Sequence, residues 1–230
     1  MGSASLVLPV LAITAVSLWR AGQLNAVRVW LIAMTLAVSF TLATKIMFLG
    51  WGIGIASLDF TGISGHTLLV TSVLPVLLGW YLAQDQGSSS LAGVMVGLLV
   101  GVIVGISRVA LGAHSVSEVV AAWFMGAAIS TLALNAMNGR LRCPWFAKLA
   151  PLIFLLAFHT PSSTYLPTHD WEVELALALS GHERPYTRRH LIARADLKVQ
   201  ELPDQSEDMS GEDMSGASKL GQAIPKQNPA

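Results

Sequence analysis

The sequence predicts an all-α protein, a polytopic transmembrane bundle of five or six helices, and three observations carry that expectation. Of the 230 residues, 53% are hydrophobic and only 12% charged, against roughly 25% charged in soluble domains. Five apolar stretches each come close to the roughly 20 residues that a helix needs to cross the hydrocarbon core of a bilayer. After Thr160 the composition turns abruptly to polar residues, proline and charge, which separates a membrane part from a C-terminal part.

The first stretch runs from about Ser3 to Trp19. It lacks the basic leading region of a secretory signal and has poor cleavage cues, so it reads as a retained span. The second runs from Val27 to Leu49, the third from His66 to Ala83, the fourth from Leu91 to Ile106 and the fifth from Val119 to Met137. In the fourth, Gly93, Gly97, Gly101 and Gly105 recur every four residues. A helix places them on one stripe, which predicts close approach of a neighbour. A sixth stretch, Phe146 to Phe158, is short and is interrupted or flanked by Pro144, Lys148 and Pro151; it either spans or lies in the interface. Most tryptophans, Trp19 and Trp51 among them, fall near span ends, as an interfacial belt requires.

Residues 1–160 are therefore expected to form the membrane domain and 161–202 a polar segment. Residues 203–230, with almost no large apolar side chains, are expected to be disordered. Within the polar segment, Trp171, Leu175 and Leu179 are spaced by four, which predicts a surface helix over Asp170 to Ser180, lying on the bilayer or on the protein.

Formal net charge is zero and no basic run alternates with aromatics, so nucleic acid is excluded as a partner. The single cysteine, Cys143, has no companion for a disulfide or a metal-binding pair. Basic residues in short loops set orientation. With six spans, Arg20, Arg28, Arg140, Arg142 and Lys148 share one side, while Lys45 and Arg108 lie on the other; that second face is expected to be extracytoplasmic, with the N-terminus. Arg184, Arg188, Arg189 and Arg194 belong to a long segment that obeys the rule poorly. Asp59 and Thr61 lie in the loop before the third stretch, near the expected pocket, and read as solvated turn residues outside it; His159, His169, His182 and His190 read as solvated histidines without ligand spacing.

Ionisable residues in membrane segments are costly and mark function. Here they gather at particular ends. Lys45 lies near the end of the second stretch, Ser64, Gly65 and His66 open the third, Ser107 and Arg108 end the fourth, and His114 and Glu118 precede or open the fifth. Alternating spans put all these ends on one side of the bilayer, around a single pocket.

Ile63-Ser64-Gly65-His66, and Ser107-Arg108 followed after five residues by His114 and after three more by Glu118, resemble motifs of the type-2 phosphatidic acid phosphatase (PAP2) superfamily. Those motifs read K-x6-RP, PSGH and SR-x5-H-x3-D, and the resemblance covers about Lys45 to Glu118. It implies a PAP2-type bundle and a membrane lipid phosphatase that works through a phosphohistidine, without a metal or other cofactor. It implies that His114 attacks phosphorus, that Glu118 orients and charges its imidazole, and that His66 protonates the leaving oxygen. Lys45, Ser64, Gly65, Ser107 and Arg108 would bind the phosphate. The residue types suit that chemistry. Lys45 offers a point charge and Arg108 a planar fork of donors for the equatorial oxygens. Ser64 can cap the third helix, whose N-terminus would face the anion, and Gly65 permits close approach. A general acid in the first step can activate water in the second.

The chain also departs from the pattern. Gly52 and Ile53 stand where the first motif has Arg and Pro, Ile63 replaces the Pro of the second, and Glu118 replaces the final Asp. Ser115-x-x-Glu118 is also a capping box, so Glu118 has two readings. Lys45 could be a snorkelling lysine and Arg108 an interfacial anchor. The rival functions are a haem-binding anchor using His66 and His114, a metal hydrolase using His114 and Glu118, a lipid phosphotransferase and a noncatalytic lipid-binding relative. The expected setting is a bacterial inner membrane with the site on the periplasmic face.

Overall fold

The computed structural model describes residues 4–83, 89–138 and 168–200. The sixth apolar stretch, Cys143 and the tail from residue 203 lie outside the described residues. The helices are α1 (Ala4–Arg20), α2 (Leu24–Trp51), α3 (Gly65–Tyr81), α4 (Leu91–Ala110), α5 (Val116–Asn135), α6 (Thr168–Ser180) and α7 (Arg188–Gln200), with a 3-10 turn at Ala56–Leu58. Among the described residues there is no β-strand, only an isolated antiparallel bridge between Ile55 and Phe60. Each of the five predicted stretches is a helix.

Three of these helices, α2, α4 and α5, are long and apolar enough to cross a membrane, and the protein is an all-helical membrane protein. The shorter α1 and α3 have 17 residues each. At about 1.5 Å per residue such a helix rises about 26 Å, slightly less than a hydrocarbon core of about 30 Å. For α3 the explanation is its position. Thirteen of its residues are buried, and a helix apolar all round belongs in the middle of a bundle rather than against lipid.

The glycine stripe of α4 is what lets α3 be surrounded so closely. A Cβ at Gly93 would run into the Leu78 carbonyl, at Gly97 into the backbone of Pro75, and at Gly101 into Thr71 Oγ1. At Gly105 it would lie 2.5 Å from Val119 Cγ1 of α5. Gly126 of α5 makes the same approach to α3, where a Cβ would lie 2.9 Å from the Leu68 carbonyl oxygen. The opposite face of α4, with Leu91, Met95, Leu99, Ile103 and Ile106, is exposed, as a lipid-facing surface requires. From α2, the fully buried Trp30 donates its indole N–H to the Ser72 carbonyl at 3.0 Å.

Alternation of the helices brings helix ends together on each side. On one side the Ser64 backbone N–H donates to the Glu118 carbonyl at 3.3 Å, and the Ser117 hydroxyl to the Leu58 carbonyl at 2.7 Å. On the other, Gln23 donates to the Asn138 carbonyl at 2.6 Å and accepts from its N–H at 2.8 Å. There too, Ser90 N–H donates to the Gly79 carbonyl at 2.7 Å.

The predicted surface helix exists as α6, but its apolar stripe is not its packing face. Ala176 is buried and its carbonyl oxygen would lie 3.1 Å from a Cβ at Gly50 of α2, while Trp171, Leu175 and Leu179 stay exposed. The outward stripe suits a bilayer surface.

Candidate active site

The site is organised by the first turn of α5. Ser115, the N-cap, accepts from the Glu118 N–H through its hydroxyl at 3.4 Å, and Glu118 Oε2 accepts from the Ser115 N–H at 3.2 Å. That is the capping box. The same Oε2 lies 2.7 Å from His114 Nδ1. One oxygen atom thus makes both contacts, to the Ser115 N–H of the capping box and to His114.

Its other oxygen is equally engaged. Oε1 accepts from the Thr61 N–H at 2.7 Å, the Thr61 hydroxyl at 2.6 Å and Arg188 Nη2 at 3.0 Å. Glu118 is fully buried, and a buried carboxylate persists only when paired and hydrogen-bonded. Charge-assisted bonds from backbone, hydroxyl and guanidinium donors supply that here. An anionic, acceptor-only partner makes His114 Nδ1 the protonated nitrogen, which leaves the lone pair on Nε2.

Thr61 reaches Glu118 because the segment after α2 folds back on itself. Gly52 caps α2 in the left-handed conformation at φ 68, and Asp59, at φ 48, ends the 3-10 turn. Gly62 then passes close over Lys45, where a Cβ would sit 2.8 Å from Lys45 Cγ.

Arg108, Lys45 and His114 all lie within electrostatic reach of the His66 imidazole, so residues of α2, α3, α4 and the loop before α5 share one neighbourhood. His66 Nε2 and Arg108 Nε are buried and have no hydrogen-bond partner among the described residues. Such groups are rare in folded proteins, and a site for a ligand is one of the places where they occur. Lys45 is engaged differently. Its ammonium is held by both carboxylate oxygens of Glu172 in α6, at 2.7 and 3.0 Å.

The small residues carry finer corrections to the expectations. Ser64 occupies the N-cap position of α3 without a capping bond from its side chain; its hydroxyl lies 3.1 Å from Thr67 Oγ1. The Ser107 hydroxyl donates to the Val104 carbonyl of its own helix at 2.6 Å, which leaves only oxygen lone pairs for other partners. At Gly65 a Cβ would meet no protein atom within 4 Å. Crowding among the described residues does not demand glycine there.

The family model of the PAP2 superfamily matches residues 56–142, a span that takes in Ser64, Gly65, His66, Ser107, Arg108, His114 and Glu118. This chain belongs to the PAP2 superfamily. An uncharacterized 22.5 kDa protein in the cps region of Klebsiella pneumoniae is 31% identical over 172 residues, which cover 72% of this chain and 81% of that protein. No solved structure matches the chain.

The PAP2 match begins after Lys45 and Gly52, and this is where the chain is most individual. In place of a first-motif arginine, Gly52 has the Tyr186 ring against it; a Cβ would lie 2.8 Å from Tyr186 Cδ1. Two residues of the neighbourhood, Glu172 and Arg188, escape a reading from sequence, looking like charges of a polar segment; Asp59 and Thr61 are placed near the pocket by sequence but only as turn residues. The available signal was the PAP2 pattern's missing arginine, which marks a position where another part of the chain has room to dock.

Proposed function

We propose that this PAP2 protein is a membrane lipid phosphatase that hydrolyses a phosphomonoester or diphosphate of a lipid through a phosphohistidine. The observation that carries the reading is the 2.7 Å contact of His114 Nδ1 with a buried, multiply hydrogen-bonded Glu118. It makes Nε2 a nucleophile whose developing positive charge has a fixed counter-charge.

In the first step Nε2 attacks phosphorus, the bond from phosphorus to the lipid oxygen breaks, and His66 gives a proton to that oxygen. In the second, His66 takes a proton from water, the water oxygen attacks phosphorus, and the P–N bond breaks to release inorganic phosphate. Arg108 neutralises the equatorial oxygens as charge spreads over them. Its buried, unpartnered Nε and that of His66 support this reading, since a bound phosphate and the leaving oxygen would satisfy them. Lys45 would join once released from Glu172. Transfer to another lipid acceptor would use the same two steps with an alcohol in place of water.

The setting we propose is a bacterial inner membrane with the site at its periplasmic face. The similarity to a Klebsiella pneumoniae protein and the placing of basic residues in short loops support it.

Phosphate release is the test, measured over phosphatidate, phosphatidylglycerophosphate, a polyprenyl diphosphate and a phosphorylated glycolipid, with His66→Ala, Arg108→Ala and His114→Ala as controls. Activity on at least one of these lipids, lost in His114→Ala, is expected. Vanadate should inhibit and EDTA should not; activity that vanished on chelation would count against the mechanism. A second reading, a noncatalytic lipid-phosphate binder, is favoured by the pairing of Lys45 with Glu172 and by Gly52 at the arginine position. It predicts lipid-phosphate binding without turnover across the whole panel.

A further inference from the structure

The segment from Tyr186 to Leu191 is fastened to the last turn of α2 and the loop after it at three points. Tyr186 N–H donates to the Leu49 carbonyl at 2.9 Å, the Tyr186 ring lies on Gly52, and the buried Leu191 lies against Gly54, where a Cβ would be 3.2 Å from Leu191 Cδ2. Between these anchors α7 begins. Thr187 accepts the first bonds of the helix from the N–H groups of His190 and Leu191, and His190 Nδ1 accepts from the Thr187 N–H at 3.1 Å. Arg188, the first helical residue, is thereby delivered to the back of the site.

Its guanidinium uses both arms of the fork. Nη1 donates to Asp59 Oδ2 at 2.6 Å, and Nη2 donates to Glu118 Oε1 at 3.0 Å and to Thr61 Oγ1 at 3.3 Å. The side chain of Arg188 is 32% exposed and that of Glu118 only 1%, so the cation reaches inward from the surface to a carboxylate that water does not.

We infer that Arg188 is a positioning residue for the nucleophile, acting on His114 through Glu118. Arg188 and Thr61 hold Oε1, which fixes the plane of the carboxylate and keeps Oε2 turned to His114 Nδ1. The cation also offsets the cost of keeping Glu118 anionic in a buried place, and it is the anionic form that holds the proton on Nδ1. A lysine could not replace it, because a single ammonium on a flexible stem does not bridge Asp59 and Glu118 with the geometry of a planar fork. Within this reading the C-terminal segment is part of the catalytic machinery.

The inference rests on the phosphatase reading for its rate consequences, so it is tested with and without turnover. On the full-length protein in vesicles, with the best lipid of the panel, Arg188→Ala is expected to lower kcat about 10- to 100-fold, the usual cost of losing an outer-shell partner, with KM within about twofold. Arg188→Lys should recover little of that loss. Added guanidinium ion should restore part of the rate to Arg188→Ala but none to Glu118→Gln, and Arg188→Ala should cost nothing further in a Glu118→Gln background. An unchanged kcat in Arg188→Ala, or a full additional loss on top of Glu118→Gln, would overturn the inference. The measurement that needs no substrate is the 15N spectrum of histidine-labelled protein, with the His114 signals assigned from His114→Ala. Those signals should move in Arg188→Ala in the same direction as in Glu118→Gln. Imidazole signals identical to wild type would overturn the inference even if no lipid is ever turned over, whereas an inactive wild type with shifted signals would sink only the phosphatase reading.

Discussion

Where α2 begins and α5 finishes, Gln23 and Asn138 exchange two hydrogen bonds and Ser90 closes on Gly79. Those contacts are made between amides and carbonyls. Where α3 and α5 begin, Lys45, His66, Arg108, His114, Glu118 and Arg188 crowd together instead, with His66 Nε2 and Arg108 Nε buried and unpartnered among the described residues. One sequence thus joins one end of its bundle through amides and carbonyls and gathers the histidines, Glu118 and their cations at the other. Ionisable groups at membrane depth are expensive, and local choices that conflict with stability concentrate where function requires them. The end joined by Gln23 and Asn138 shows how the fold closes; the end around Glu118 shows what it carries beyond that.

Substitutions at the two ends should therefore separate rate from stability. The largest contrast is expected at Arg108. Arg108→Ala should lower turnover by about 10²- to 10³-fold, the usual loss when a donor to developing charge is removed. Its buried Nε makes no hydrogen bond among the described residues, so the thermal midpoint should change far less than turnover. A fall in midpoint with turnover intact would make Arg108 an interfacial anchor. Next is Glu118→Gln, which keeps an oxygen for the capping box but not the charge behind His114. Turnover should fall more than thermal stability, and the reverse pattern would make capping the residue's main work. The smallest effect on rate is expected at the end away from the histidines. Gln23→Ala leaves the Asn138 N–H and carbonyl without that partner and should cost about 1–2 kcal/mol in denaturant unfolding, with kcat unchanged within about twofold. A rate loss there as large as at Glu118 would erase the distinction between the ends.

The helices were legible because crossing a bilayer requires apolar runs of a set length, and the stripe from Gly93 to Gly105 was legible because the helical period places it on one face. His66, Arg108, His114 and Glu118 could be picked out for a related reason: charge inside such runs is rare enough to stand out. The partners of those residues were not legible. Lys45 and Glu172 are 127 residues apart, Glu118 and Arg188 are 70 apart, and Asp59 and Arg188 are 129 apart. No periodicity links such pairs; only the docking of α6 and of the Tyr186–Leu191 segment onto α2 and the loop after it brings them together. The double contact of Glu118 was within reach of the sequence, since Ser115-x-x-Glu118 and His114 at four residues' distance allow one carboxylate to serve both. That a single oxygen does so needs the geometry, a carboxylate oxygen having lone pairs enough for both.

The most direct test of the central claim is to trap the intermediate. Protein quenched in alkali during turnover of a lipid carrying radiolabelled phosphate should retain base-stable, acid-labile label, and peptide mapping should place it on His114 and find none in His114→Ala. Wild-type protein that turns over the lipid at full rate without ever retaining label, or label that persists in His114→Ala, would contradict the account.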